Sequence, residues 1–509
     1  MGINLKNSVL KGTIILTLAG VLSKVIGFFY RIYLTRTIGA SGMGLMQLIM
    51  PVAGIAFAIC SSGIQTAISR FCASSAVKIN SKDNNCQSCG EWLIYGLFIS
   101  IPIALLFTYI TYTHSDFIAT RLLLNEQSSP LIKILSFTFP FSCFHNCVNG
   151  FYFGYKKTAI PALSQLFEQV VRVMTVYIYA KICISNNIPI TVVGALWGSL
   201  ISEIASTIFC MIALKFSKNF TVKNHFYKIN IKKLFVFSLP LTLNRLLMHI
   251  LQGCESILIP AQLIIYGHSQ SESLSIYGVL TGMAIPFILF PAAITNSLSV
   301  MLLPEVSGAQ SAKNNDSITR TIERSIHFCL AIGIFTTFLF LFYVGRIGSI
   351  IFNEASVQLF ILTLCWLCPF YYLAMTLSSI LNGLGHTTLT CIQSITSILI
   401  RIAFLIVVVP FYGITGYLWG LLISQIIICI LHYISLYRLF NITPMPFKNI
   451  ILPACLSLIC IGISYIVYNI STKIISNELL NLTIATLIAS ITFLIVCSLI
   501  HYYNARRNK

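Results

Sequence analysis

Charged side chains that lie inside long apolar stretches are the residues of this sequence whose type and position could do chemistry. The basic ones are Lys24, Arg31, Arg172, Arg245 and Arg401, and the acidic ones are Glu168, Glu203 and Glu255. A charge in an apolar medium is costly unless it meets a partner or a polar cavity, so each of them marks a candidate functional position. Such a cation can hold an anion through charge-assisted hydrogen bonds, and such a carboxylate can pair with a cation or relay a proton.

Lys24 and Arg245 each lie deep within an apolar stretch. Arg245 lies about 12 residues, or roughly 18 Å, from the lysine-bounded start of its apolar stretch. Neither residue has an acidic neighbour three or four positions away. A cavity lined by unpaired cations suits an anion, and for a membrane substrate that anion is a phosphate or pyrophosphate headgroup. Arg31 belongs to the same cationic set, although its place near a helix end also allows it to reach the interface.

The remaining intramembrane charges are interpreted as ion pairs or a relay. Glu168 and Arg172 stand four residues apart, which places them on one face of a helix. This spacing favours a structural ion pair over direct contact with a substrate. Glu203, Glu255 and Arg401 complete the set, and the histidines in apolar helices, among them His145, are interpreted as core or boundary residues.

The composition predicts the elements that must position these charges. Of 509 residues, 57% are hydrophobic and only 9% are charged, whereas soluble domains carry about 25% charged residues. The chain is therefore predicted to be an all-α polytopic membrane protein with fourteen transmembrane helices. The predicted spans, each about 20 residues or longer, are 10–33, 42–66, 92–112, 131–154, 159–184, 190–215, 233–262, 276–303, 326–345, 357–383, 388–411, 413–438, 449–470 and 478–502.

The same composition argues against several classes of function. The sequence has no phosphate-binding glycine loop, no H-E-x-x-H and no G-x-S-x-G, and no soluble domain in which such a motif would work. Cys86-Gln-Ser-Cys89 lacks the second ligand pair that a zinc site needs. The expectation is that the protein is not an enzyme, holds neither metal nor cofactor and binds no nucleic acid.

The net charge of +19 follows the topology. With both termini inside, most Lys and Arg residues fall on loops of one side, among them Arg320, Arg324 and Lys448. The positive-inside rule makes that side cytoplasmic, so the protein is predicted to cross the cell membrane with cytoplasmic N- and C-termini.

An internal repeat divides the chain. Gly194-Ala-Leu-Trp-Gly-Ser-Leu-Ile-Ser-Glu203 returns as Gly416-Tyr-Leu-Trp-Gly-Leu-Leu-Ile-Ser-Gln425, with seven of ten positions identical. The copies are six spans apart, so they point the same way across the membrane. This predicts two parallel-repeat six-helix lobes, at 1–215 and 234–438, with two further helices and a cytoplasmic tail at 439–509. In transporters built this way the site lies between the lobes near the midplane.

A lysine-rich connector at 216–233 joins the predicted lobes. It either lies on membrane lipids of the cytoplasmic leaflet, with its aromatic residues toward the bilayer, or forms an ordinary solvated linker.

Several motifs resemble those of one transporter group. They are Lys24-Val-Ile-Gly27-Phe-Phe-Tyr-Arg31, Pro240-Leu-Thr-Leu-Asn-Arg245, Gly282-Met-Ala-Ile-Pro286 and Leu303-Pro304-Glu305-Val-Ser307. They resemble the stage V sporulation protein B group, which belongs to the polysaccharide-flippase branch of the multidrug/oligosaccharidyl-lipid/polysaccharide exporter superfamily and is related to MurJ-type lipid II flippases. The resemblance implies rocking alternating access that moves an undecaprenyl-pyrophosphate-linked saccharide from the inner to the outer leaflet.

The resemblance further implies lipid II as the cargo, for spore cortex or other peptidoglycan. MurJ-type flippases carry further arginines in the second and eighth helices, where this chain has apolar and small polar residues at 55–69 and 277–291, so a teichoic or capsular unit stays open as cargo. Two other functions are also open. One is a multidrug antiporter of the same superfamily, and the other is a non-transporting scaffold for cell-wall or sporulation enzymes.

Overall fold

The computed structural model describes residues 2–80, 89–155, 157–217, 228–352, 354, 356–440, 442 and 445–507. Within these residues the chain is helical and no strand occurs, which confirms the prediction of an all-α membrane protein. The chain forms two compact units, Met1–Gly278 and Val279–Lys509. The predicted connector at 216–233 lies largely outside the described residues, so the proposed lobe boundaries remain a prediction.

The first unit contains ten helices in the part of the chain that the structure describes. They are α1 Gly2–Phe57, α2 Gly63–Asn80, α3 Cys89–Thr113, α4 Ser115–Phe117, α5 Ser128–Ser136, α6 Thr138–Gly154, α7 Ala159–Ser185, α8 Val192–Lys215, α9 Lys228–Tyr266 and α10 Gln270–Gly278. A π-helical turn, Ala58–Ser62, joins α1 to α2, and another, Ile118–Leu122, follows α4.

The second unit is described by ten further helices. They are α11 Ile285–Leu289, α12 Ala292–Ser311, α13 Asn315–Ile347, α14 Val357–Leu364, α15 Leu367–Gly383, α16 Thr387–Val407, α17 Val409–Tyr412, α18 Ile414–Phe440, α19 Leu452–Ile474 and α20 Glu478–Arg507. Its π-helical turns are Val279–Ala284, Gly348–Phe352 and Phe447–Ile451.

Eleven helical segments of the described chain are long and apolar enough to cross a membrane, or twelve if the bent pair α14 and α15 forms one span. One of these segments, Leu18–Ser75, has 58 residues. At 1.5 Å per residue it is roughly 87 Å long, enough for two crossings of a core of about 30 Å. The multi-pass prediction is therefore confirmed, whereas the count of fourteen spans stays a prediction.

Gly39 divides the long first helix at a kink. Its φ of 72° and ψ of −179° are not helical, and this positive φ is a conformation that glycine adopts without the steric cost of a side chain. The kink falls between the first two predicted spans, 10–33 and 42–66. A glycine there thus separates two crossings without a loop.

Glycines allow the helices of the first unit to approach closely. A Cβ atom added to Gly44 of α1 would lie 1.9 Å from the Leu274 carbonyl oxygen of α10, and one added to Gly63 of α2 would lie 2.1 Å from the Thr242 hydroxyl of α9. Helices in a membrane associate through such small-residue contacts, because lipid removes the hydrophobic driving force between them. The segment from α1 to α2 is therefore held tightly against α9 and α10.

The internal repeat has the same packing role in both copies. Cβ atoms added to Gly194 and Gly198 of α8 would lie 2.1 Å from Tyr179 and 2.5 Å from Val176, both on α7. In the second copy, a Cβ added to Gly420 of α18 would lie 2.6 Å from the Phe404 Cβ of α16. The repeated G-x-x-x-G motif thus allows α8 to pack closely against α7 and α18 to pack closely against α16.

Gly44→Ala is expected to lower the stability of the detergent-solubilised protein by about 1–3 kcal/mol, because the added methyl group overpacks the contact between α1 and α10. The measurement is thermal unfolding: samples are heated to increasing temperatures, and the protein that remains folded is quantified by size-exclusion chromatography. Gly20→Ala is the matched control, since a Cβ at Gly20 of the same helix would meet nothing within 4 Å. Equal melting temperatures for the two variants would contradict the prediction.

Candidate functional site

Arg245 of α9 is anchored to the π-helical turn between α1 and α2. Its Nη1 donates to the Ser62 carbonyl oxygen at 3.1 Å and its Nη2 donates to the Thr66 hydroxyl at 3.3 Å. The Thr66 hydroxyl in turn donates to the Ser62 carbonyl at 3.1 Å. π-helical turns inside α-helices are frequent at functional sites, where they displace carbonyl groups from the regular ladder. Here the turn presents a carbonyl that fixes an intramembrane arginine.

The side chain of Arg245 keeps donors beyond these two contacts. A guanidinium carries five N–H donors in a planar fork that matches carboxylate and phosphate oxygens. The two contacts engage one N–H on each terminal nitrogen. An anion can therefore be bound by donors that remain, while the Ser62 carbonyl holds the guanidinium in place.

The helix register explains why Arg245 meets this turn. Gly63 packs against Ser238 and Thr242 one to two turns before Arg245, and a Cβ added to Gly54 would lie 2.8 Å from the His249 Nδ1 one turn after it. The two segments therefore run antiparallel. Further along, the Arg70 guanidinium lies 4.3 Å from the centre of the Phe237 ring.

A second set of charges lies between helices α6, α7 and α8 of the same unit. The His145 Nδ1 of α6 lies 3.0 Å from the Glu203 Oε2 of α8. On α7, the Arg172 guanidinium donates to the Glu168 carboxylate. The Ser164 hydroxyl of α7 and the Ser206 hydroxyl of α8, each about one turn from Glu168 and Glu203 respectively, lie 2.7 Å apart. The four residues His145, Glu168, Arg172 and Glu203, named the acid–base cluster below, place each of the two carboxylates beside a basic partner.

Lys24 and Arg31 lie on α1 in different surroundings. Lys24 is exposed and makes no hydrogen bond or ion pair with the residues that the structure describes. Arg31 is half-buried. The preceding Tyr30 is buried, and its hydroxyl group has no hydrogen-bond partner within the described residues. Tyr30 packs with Val176 of α7, so this part of α1 adjoins the helix that carries Arg172.

The last two candidates are Glu255 and Arg401. Glu255 is buried on α9, ten residues beyond Arg245. Arg401 lies on α16 of the second unit, where it is half-buried. The structure therefore brings together Glu168, Arg172 and Glu203. Arg245 instead contacts Ser62 and Thr66.

Three partners in these contacts were not predicted from the sequence. Ser62 and Thr66 are small polar residues in an apolar span, and nothing in their spacing separates them from others of that kind. His145 was interpreted as a core or boundary residue, and it is indeed buried, but it contacts Glu203. The one available signal was the coexistence of a histidine and a leftover acid in spans of the same predicted lobe.

Comparisons with known proteins decide the family. Residues 9–304 match the family model described as "Polysaccharide biosynthesis protein". The chain belongs to this family. Over 446 residues it is also 24% identical to stage V sporulation protein B of Bacillus subtilis (strain 168), an alignment that covers 86% of this chain and 85% of that protein.

Solved structures agree on the fold. The chain is similar to a structure described as "Lipid II flippase MurJ, inward closed conformation", with a TM-score of 0.69, 16% identity and coverage of 97% of this chain and 100% of that one. It is also similar to an inward-facing multidrug resistance MATE family transporter of the MOP superfamily, with a TM-score of 0.66, 16% identity and coverage of 82% and 94%. The chain thus shares the fold of solved membrane transporters.

The family match includes most of the candidate residues. Lys24, Arg31, the acid–base cluster, Arg245 and Glu255 all fall within 9–304, whereas Arg401 falls beyond it. All candidate residues of the first unit thus lie within the segment that matches the family model.

Glu168→Gln is expected to destabilise the solubilised protein by about 3 kcal/mol, because it leaves a largely buried arginine without its carboxylate. Adding Arg172→Gln should recover part of the loss, which a double-mutant cycle on the melting temperature measures. Asp116→Asn is the control, since it breaks the exposed Asp116–Lys133 pair at 3.8 Å and should cost less than about 1 kcal/mol. Equal losses from Glu168→Gln and Asp116→Asn would refute a structural role for the buried pair.

Proposed function

We propose that this protein is a flippase that moves an undecaprenyl-pyrophosphate-linked saccharide from the inner to the outer leaflet by alternating access. The observation that carries the proposal is Arg245, an intramembrane guanidinium held by a backbone carbonyl with donors to spare. A diphosphate presents several oxygens to such a planar fork. Lys24, which makes no ion pair within the described residues, supplies the second cation and Arg31 a third.

The charge balance of the first unit favours an anionic cargo over an organic cation. A multidrug antiporter needs carboxylates that a cation can reach, and the two carboxylates of the acid–base cluster each have a basic partner. Arg245 contacts a carbonyl and a hydroxyl group rather than an acid. The antiporter therefore ranks second, although it shares the fold. A non-transporting scaffold ranks third, since it gives no reason for anchoring an arginine at this depth.

The membrane potential supports the outward direction. The excess of Lys and Arg on one set of loops supports cytoplasmic termini in the cell membrane. With the interior negative, each negative charge that moves outward gains about 2.3 kcal/mol per 100 mV. Lys24 and Arg245 would feel the same field in the opposite sense once the cargo has left. The potential thus assists both the outward step and the return of the empty protein.

The choice of saccharide rests on relatives. Stage V sporulation protein B is 24% identical, and a lipid II flippase has the same fold. Lipid II for spore-cortex or cell-wall peptidoglycan is accordingly the proposed cargo, with cell-wall synthesis enzymes as its users. An undecaprenyl-linked teichoic or capsular unit has the same phosphate chemistry, and a competition assay between the lipids separates them.

The combined change Lys24→Ala and Arg245→Ala is expected to slow flipping of a fluorescent lipid-linked disaccharide pyrophosphate by about 100-fold or more, since charged hydrogen bonds contribute about 1.5–3 kcal/mol each, or about 3–6 kcal/mol for the two residues. The assay uses vesicles that contain the purified protein, with and without an imposed potential. Arg121→Ala combined with Lys473→Ala removes two exposed cations outside the candidate site and should leave the rate unchanged. If the Lys24 and Arg245 variant flips as fast as the parent at every potential, the proposal is wrong.

Arg245→Lys is expected to retain only part of the activity. Lysine preserves the charge but has no planar fork, so it cannot hold the Ser62 carbonyl and an anion in one fixed geometry. The same vesicle assay should give a rate between those of the parent and Arg245→Ala, with most of the change in apparent affinity. A rate equal to the parent's would mean that charge alone is sufficient.

A further inference from the structure

A cavity of about 1160 Å³ lies within the second unit, between the ends of α12, α13, α18, α19 and α20. Its walls are mainly apolar, with Leu302, Ala331, Leu456 and Phe493 among the lining side chains. Pockets for drug-sized molecules measure about 300–1,000 Å³, so this cavity has room for a larger apolar ligand. Two of its helices, α19 and α20, lie outside the internal repeat.

The mouth of the cavity carries cations that the protein itself does not neutralise. Arg320 and Arg324 stand one turn apart near the start of α13, and Lys448 lies on the π-helical turn before α19. All three are exposed, and within the described residues none makes a hydrogen bond or an ion pair. The charge distribution along the sequence predicts that all three lie on the cytoplasmic side.

Acidic residues at the same mouth do not cancel this charge. Glu323 is engaged in an interaction within the protein. Glu305 has no hydrogen-bond or ion-pair partner in the described part of the chain. Three unengaged cations therefore face one unengaged acid, and the balance favours a negatively charged headgroup.

We infer that this cavity binds an anionic glycerophospholipid of the cytoplasmic leaflet, with its phosphate at Arg320, Arg324 and Lys448 and an acyl chain along the apolar wall. The arrangement matches both parts of such a lipid. Basic side chains near the helix ends suit the phosphate headgroup, and the apolar side chains that continue along the helices suit the acyl chain. A bound lipid would fasten α19 and α20 to α13. This site does not depend on the proposed cargo, because none of its residues belongs to the candidate transport site.

The test measures which lipids stay with the full-length protein. The protein is reconstituted in vesicles of equal phosphatidylglycerol and phosphatidylcholine, extracted into mild detergent and separated by size exclusion, and the retained lipids are quantified by mass spectrometry. The parent should be enriched in phosphatidylglycerol. The triple variant Arg320→Gln, Arg324→Gln and Lys448→Gln should reduce that enrichment by about 100-fold, which corresponds to about 1 kcal/mol for each of the three cations.

A matched control removes the same charge elsewhere. Lys215→Gln, Lys232→Gln and Lys233→Gln change exposed cations of the first unit that are also assigned to the cytoplasmic side. Enrichment should survive in this control. An equal fall in both triple variants would overturn the proposal in favour of general attraction to an anionic surface, and so would equal retention of the two lipids by the parent.

A second variant tests the apolar part of the site. Leu494 lines the cavity and is 61% exposed, so Leu494→Trp narrows the space without removing core packing. It should lower phosphatidylglycerol retention while the elution profile remains that of the parent. Glycerol phosphate added at extraction distinguishes the sources of the phosphate: displacement of the lipid by this soluble headgroup would overturn the role of the acyl chain, and unchanged retention supports it.

Discussion

A charged side chain in a membrane must either pair with an opposite charge or face a polar environment, and this constraint organises the first unit. Bilayer hydrocarbon offers no water to a cation or a carboxylate, so each such side chain either pairs within the protein or lines a polar space. The acid–base cluster follows the first course, because its carboxylates meet Arg172 and His145. Arg245 is not paired with an acid, because its partners among the described residues are an uncharged carbonyl and a hydroxyl group. The positive sign of this unneutralised charge is the basis on which we propose an anionic cargo.

Close helix packing makes the Arg245 contact possible. The guanidinium reaches the Ser62 carbonyl because α2 lies directly against α9. That close approach depends on Gly63, because a side chain at this position would clash with Thr242. The π-helical turn just before Gly63 supplies the carbonyl. Small residues thus do more than join helices here, since they also set the distance at which a polar contact forms across the helix interface.

The second unit uses charge differently. Its unneutralised cations stand at helix ends beside an apolar cavity, where a headgroup and a hydrocarbon chain meet. A cation at the interface remains hydrated and costs little, whereas one at the depth of Arg245 must be held by the protein. Depth therefore separates the two inferred ligands: a transported pyrophosphate for the deep arginine, and a resident membrane lipid for the shallow ones.

The family match and the fold comparisons limit what these charges can do. A polysaccharide biosynthesis family and a transporter fold are compatible with a lipid-linked saccharide as cargo. The fold is shared with a multidrug transporter, so the fold alone does not fix the substrate. The side chains of the first unit carry that distinction, because the same helices could present either acids or bases to a ligand.

The sequence by itself determined the helical class, the multi-pass topology, the internal repeat and the identity of the charged residues within apolar stretches. These follow from local properties, because hydrophobic length and periodicity act within one segment, and the spacing of Glu168 and Arg172 lies within one helix. Only the tertiary structure decided that Arg245 meets Ser62 and Thr66, that His145 meets Glu203, and that Arg320 and Lys448 share one cavity. These contacts join residues far apart in the chain, and their formation depends on how closely helices approach and in which register, which no single segment encodes.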